Sequence, residues 1–158
     1  MKFVQTTPYG CGLYAIANTV NLPEFVTPQR LEASKTYGNT IGQLSKWLQE
    51  DGKPFYLDVL YYDHDEGKLP EKHFHYKPDV QDDSDTYLPV FINVKQTNES
   101  KRHLVGGLIS KEGSLYLLDS VKGEGILTSL SELNSMYEHV FGLFILLNVD
   151  TGDYVFFS

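Results

Sequence analysis

Four side chains have the types and the order that thiol chemistry needs. The stretch QTTPYGCGLYAIAN, residues 5–18, holds the only cysteine, Cys11, and sets Gln5 six positions ahead of it. A lone cysteine forms no disulfide within its own chain, so any role beyond packing lies in its thiol. A thiolate attacks carbonyls far better than a thiol does, and the unpaired N–H groups of a helix's first turn help to form it. Such a nucleophile needs a base, and the base needs a partner that fixes its orientation and tautomer. His103 opens the run HLVGGLIS and Asp119 closes the run SLYLLDS. An antiparallel return brings the start of one strand beside the end of the next, so the two are expected to be neighbours. Charge developing on a carbonyl oxygen also needs donors. Gln5, joined to Cys11 through Pro8 and Gly10, can offer its amide beside the Cys11 N–H.

Taken singly, each residue has an ordinary reading. Cysteine is among the most buried residue types, a strand histidine and a hairpin-end aspartate are unremarked features, and a glutamine near an N-terminus is usually solvated. Their joint placement carries the weight.

The elements that must hold these residues can be read from periodicity. CGLYAIANTV spaces Leu13, Ile16, Ala17 and Val20 as a helix, with Cys11 in its first turn. Thr27-Pro28 starts a second helix that Gly38-Asn39 stops, and Thr40 opens a third, TIGQLSKWLQEDG, with Ile41, Leu44, Trp47 and Leu48 on one face. From Pro54 the pattern changes to short runs rich in Tyr, Phe, Val and Ile: FYLDVLYYD, YLPVFINVK, HLVGGLIS, SLYLLDS, FGLFILLNV and DYVFFS. Lys111-Glu112-Gly113 and Thr151-Gly152-Asp153 are hairpin turns, and residues 129–139 predict a short helix between strands. Helices first and strands afterwards imply an α+β domain, with N-terminal helices packed on a C-terminal antiparallel sheet.

At 158 residues the chain is long enough for one core, and residues 1–158 are expected to form a single domain. Residues 63–86 are polar and rich in Asp and Glu, which predicts a surface insertion that could engage a basic protein. His64, His73 and His75 lie within it, but their spacing matches no compact zinc pattern, so neither metal nor cofactor is expected. Gly106-Gly107 reads as close packing against the cysteine's helix, and residues 119–125, DSVKGEG, as a loop that could border a cleft.

The formal charge is −8, which would repel a nucleic-acid backbone. No run approaches the length of a membrane span and no secretion signal is present, and one unpaired cysteine fits a reducing, cytoplasmic setting.

The Gln-(five residues)-Cys-Gly segment leading into an apolar helix, followed by a late His-Leu-Val and an Asp at the end of the next strand, resembles the papain-like cysteine peptidases. Within them it is most similar to the peptidases that process double-glycine bacteriocin leaders, and to their stand-alone relatives. The resemblance implies Cys11 as nucleophile, His103 as general base, Asp119 as its orienter and Gln5 as oxyanion donor, acting on a peptide or protein substrate without a cofactor. Leader peptidases commonly front a membrane transporter, whereas this sequence has no transmembrane stretch. With Cys11 so near Met1, no inhibitory segment is expected ahead of it. Two other functions fit the same residues: an idle papain-like binding module, such as a viral or phage accessory protein, or an amidase or acyltransferase acting on a non-protein amide.

Overall fold

The computed structural model describes residues 3–63, 65–69, 86–99, 101–121 and 125–157. The chain is an α+β fold. Helix α1, Cys11–Thr19, is followed by a 3-10 turn at Pro23–Phe25, then α2, Pro28–Tyr37, and α3, Ile41–Glu50. Strands β1, Phe55–Tyr62, β2, Leu88–Lys95, β3, His103–Ile109, β4, Ser114–Leu118, and β5, Gly125–Ser129, come next. A 3-10 turn at Leu130–Glu132 runs into α4, Leu133–Met136, and β6, His139–Asn148, ends the regular structure.

The helix boundaries follow local chemistry. Thr27 caps α2 by accepting a hydrogen bond from the Arg30 amide, with Pro28 at the first helical position, and Thr40 caps α3 in the same way through the Gln43 amide. Arg30 then ties three segments together. Its guanidinium forms a forked pair with Asp51 at 2.6 and 2.8 Å, and its carbon lies 4.9 Å from the Phe25 ring centroid and 5.6 Å from that of Trp47.

The six strands form one antiparallel sheet in the order β1-β6-β2-β3-β4-β5. Both faces are covered. Phe91, Phe144, Leu146 and Leu57 meet Leu13, Ile16, Leu44 and Leu48 of the helices on one side. Val90, Ile92, Leu143, Ile145 and Leu117 point the other way, against Leu130, Leu133 and Tyr137. Successive side chains of a strand face opposite sides, so a strand covered on both sides is apolar throughout. That is why β6 reads HVFGLFILLN and is buried from Val140 to Leu147.

Several expectations need correction. Residues 125–129, GILTS, form β5, although three apolar or β-branched residues gave little strand signal. The short helix expected between strands within 129–139 is present but shorter, a 3-10 turn and a single turn of α-helix over 130–136, with β6 beginning at His139. DYVFFS makes isolated bridges, Leu147 to Tyr154 and Tyr87 to Phe157, in place of a strand. The acid-rich segment from 63 to 86 is described only at 63, 65–69 and 86, and its described part is not all surface. Leu69 packs into the second core, its backbone held on both sides by the Asn134 amide. His64, His73 and His75 lie outside the described residues, as does any seat for a basic partner at 70–85.

Candidate active site

Cys11 begins α1 because Gly10 lets the chain turn there. Gly10 has φ 83°, a left-handed conformation that costs glycine little, and a Cβ at this position would press on Leu31 at 2.9 Å. The next residue is clamped: the Gly12 amide donates to Asn39 Oδ1 at 3.1 Å, while Asn39 Nδ2 donates to Ser34 Oγ at 2.7 Å. Among the described residues the Cys11 N–H has no hydrogen-bond partner.

The other end of the site is set by β3 and β4. Gly106 pairs with Leu118, and carrying that register onward puts Asp119 opposite Val105, a diagonal neighbour of His103. The side chains meet, with His103 Nε2 3.0 Å from Asp119 Oδ1. Nε2 being taken, Nδ1 is the ring nitrogen left for the hydrogen bond that His103 makes with the Cys11 thiol. The Leu104 amide also donates to Cys11 Sγ at 3.4 Å, so the helix that begins with Cys11 is stitched to the strand that begins with His103.

α1 lies this close to β3 because Gly106 has no side chain. A Cβ there would collide with the Thr19 hydroxyl and stand 3.0 Å from the Ala15 carbonyl oxygen. Gly107 does not share this task, contrary to expectation. Its missing Cβ faces Leu115 and Tyr116 on β4.

Asp119 is fully buried and well supplied with donors. Besides His103, it accepts hydrogen bonds from the Val121 amide at 3.1 Å, the Tyr137 hydroxyl at 3.1 Å and Gln96 Nε2 at 3.5 Å. Burial works to raise its pKa, but these donors and the His103 charge hold the carboxyl below its ordinary range. Burial works to lower His103, yet the hydrogen bonds to Asp119 and Cys11 prevail and push it up to about 9. Burial raises the Cys11 thiol, and the His103 and Leu104 hydrogen bonds overcome this and bring it below its ordinary value of 9.0. A thiol lowered below 9.0 beside an imidazole raised to about 9 favours a thiolate–imidazolium pair between the two values.

Gln5 lies beside this group and is differently engaged. Its Nε2 donates to the Thr7 carbonyl at 2.8 Å and the Tyr9 carbonyl at 3.3 Å, while its Oε1 accepts from Ser120 Oγ at 3.0 Å. The Gln5 amide also donates to the Ser120 carbonyl at 3.0 Å. Gln5 therefore shapes the loop ahead of Cys11 and fastens it to the residue after Asp119. Both its side-chain protons are used, so donation to an oxyanion requires the longer bond, to Tyr9, to be given up.

Two cavities flank the pair. One of about 710 Å³ contains Cys11, Asn93 and Tyr62 in its wall, and the other, of about 490 Å³, contains Gln5 and Val121. Pro8, Lys101, Arg102 and His103 line both. The loop 119–125 thus borders the smaller cavity through Val121, with residues 122–124 outside the described set.

Sequence reasoning missed Asn39, Gln96, Ser120 and Tyr137. Asn39 carried only a helix-stop signal, and Tyr137 sat at an apolar position of a segment read as helix. No group of three or more His, Cys, Asp or Glu side chains suited to a metal occurs among the described residues. No described helix is long and apolar enough to cross a membrane. Compared with known proteins, the chain matches no family model and no curated protein.

Proposed function

We propose that the chain is a papain-like cysteine peptidase that hydrolyses a peptide or isopeptide bond. The observation that carries this reading is the line from Cys11, whose thiol the neighbouring His103 lowers, through the His103 ring to the buried Asp119 carboxylate, 3.0 Å from the ring. In the proposed reaction the Cys11 thiolate adds to the scissile carbonyl carbon, and the Cys11 N–H donates to the oxygen that gains charge. His103, protonated at the start, gives its proton to the leaving amine as the C–N bond breaks. The neutral imidazole then takes a proton from water, whose oxygen attacks the thioester carbonyl and releases the acid with the thiolate restored. Asp119 keeps Nε2 occupied and the ring aimed throughout. These steps call for no metal or organic cofactor, and a thiol of this kind works in a reducing compartment such as the cytoplasm.

The test is the pH dependence of Cys11 alkylation by iodoacetamide, read by intact mass in wild type and in His103→Ala. Wild type should react with a midpoint below 9.0, and His103→Ala with a midpoint above the wild-type value, since burial is then opposed by less. An inert thiol in both proteins would end the proposal.

A second reading, a papain-like module that binds a peptide without cleaving it, is favoured by the engaged Gln5 side chain. A reactive thiol that never accumulates an acyl-enzyme with any peptide, together with unchanged peptide binding in Cys11→Ala, would select it.

A further inference from the structure

Strand β2 is apolar along its length except at one position near its end. Leu88, Val90, Phe91, Ile92 and Val94 are buried, and between Leu88 and Val94 only Asn93 carries a polar side chain. Successive side chains face opposite sides, so Asn93 shares the face of Phe91, toward the helices. There it forms part of the wall of the cavity that contains Cys11, and it is half-buried. Its side-chain amide makes no hydrogen bond among the described residues. An amide in a central strand costs stability unless a partner meets it.

The neighbours of Asn93 place this amide at the thiol. Opposite it on β3 is Leu104, whose backbone N–H donates to Cys11 Sγ at 3.4 Å. Opposite it on β6 is Gly142, where a Cβ would stand 2.8 Å from the Tyr62 ring, so the ring closes over bare backbone. The β2–β6 register also slips just after Asn93, with Val94 opposite Val140 and Phe141 passed over. A bulge of this kind re-aims the side chains beside it and is common next to active sites. Gln5 lines the smaller cavity and Asn93 the larger, so the two amides approach the Cys11–His103 pair from different cavities.

We propose that Asn93 is a substrate-binding residue, its side-chain amide hydrogen-bonding a main-chain peptide group of the substrate in the larger cavity, beside the bond that Cys11 attacks. This rests on the peptidase reading and adds what the site recognises, the backbone of an extended peptide. The asparagine amide offers the same kinds of donor and acceptor as a peptide group, so each can satisfy the other whatever side chain the substrate carries. A substrate lacking the peptide N–H or C=O at that place leaves the Asn93 amide unpaired in a half-buried wall, and such a site rejects it.

The experiment compares alkylation of Cys11 by a randomised tripeptidyl chloromethyl ketone with alkylation by iodoacetamide, both read by intact mass. The peptidyl-to-iodoacetamide rate ratio in wild type should exceed that of a free model thiol. It should fall about five- to thirtyfold in Asn93→Ala and in Asn93→Leu, the effect of one to two neutral hydrogen bonds, while the iodoacetamide rate and its pH midpoint stay unchanged. With its amides N-methylated, the peptidyl reagent should no longer distinguish wild type from Asn93→Ala. Tm should not fall in Asn93→Leu, since an unpaired amide leaves an apolar strand, and this separates recognition from a structural role. A loss in Asn93→Leu without one in Asn93→Ala would show crowding of the cavity and overturn the inference. A wild-type ratio no greater than that of the model thiol, or one that both variants leave unchanged, would also overturn it, and with Cys11 still fast toward iodoacetamide the peptidase reading would stand. A thiol inert to both reagents would overturn the peptidase reading itself.

Discussion

At the residue scale, the site turns on two titrations that oppose each other. His103, raised from 6.5 to about 9, contributes stability that is complete below pH 6.5 and is lost as pH rises through about 9. Cys11, lowered from 9.0, contributes stability present above pH 9.0 and lost as pH falls through its folded value. Where pH lies above 6.5, above the folded Cys11 value and below 9, the folded pair and the unfolded pair each bind one proton, so the slopes cancel. Asp119, lowered from 3.8, adds stability that disappears as pH falls below that value. Wild-type Tm should therefore be nearly flat between the measured alkylation midpoint of Cys11, where that exceeds 6.5, and pH 9, and should fall below pH 4; a steep change within that interval in a thermal melt would contradict the pairing. Tyr137→Phe removes a donor from the buried carboxylate and should cost about 1.5–3 kcal/mol, as a hydrogen bond to a charged group does. It should also lower the His103 midpoint read by NMR only slightly, because the 3.0 Å contact with Asp119 stays. Cys11, His103 and Asp119 were legible because each bears a chemical type whose role depends on the others. Tyr137 was not, because a tyrosine at an apolar position looks the same whether its hydroxyl is idle or holds a carboxylate.

At the scale of elements, the closeness of α1 and β3 governs the site. Gly106→Ala forces a methyl against Thr19 and the Ala15 carbonyl, and overpacking of this kind costs about 1–3 kcal/mol. Tm should fall and Cys11 alkylation should slow, since the Leu104 amide moves away from the sulfur. The Thr19 hydroxyl is buried without a partner among the described residues, so Thr19→Ala should be neutral or stabilising and should restore part of the Gly106→Ala loss. Denaturant melts of the two single variants and the double variant check this. The helices and the five strands β1, β2, β3, β4 and β6 could be read ahead of the structure, because proline, threonine and glycine mark their ends and a sheet buried on both faces is apolar throughout. β5 could not, being a short edge strand whose Leu127 is 74% exposed, so that pairing with β4 and not burial defines it. DYVFFS has the composition of a strand, but it adds only isolated bridges, one to Leu147 of β6 and one to Tyr87 ahead of β2.

At the scale of the molecule, the two cores share one sheet, and β1, β2, β3 and β6 contribute to both. Thermal unfolding should thus be a single transition with equal calorimetric and van't Hoff enthalpies, near 110 kcal/mol at about 60 °C for a chain of 158 residues. Two resolved transitions in a calorimetric scan would show the cores to be independent. Sequence order foretold the α+β class but not the strand order, which depends on contacts between distant segments. The strand order also bears on synthesis. Among the described residues β1 has a single strand partner, β6, with Phe55 opposite Asn148. A ribosome makes α1, α2, α3 and β1 long before it reaches β6, and through that interval the edge of β1 has no neighbour to pair with. The nascent chain thus carries an open strand edge and an uncovered helical face until nearly all of it has emerged, which is when a holdase chaperone would bind it best.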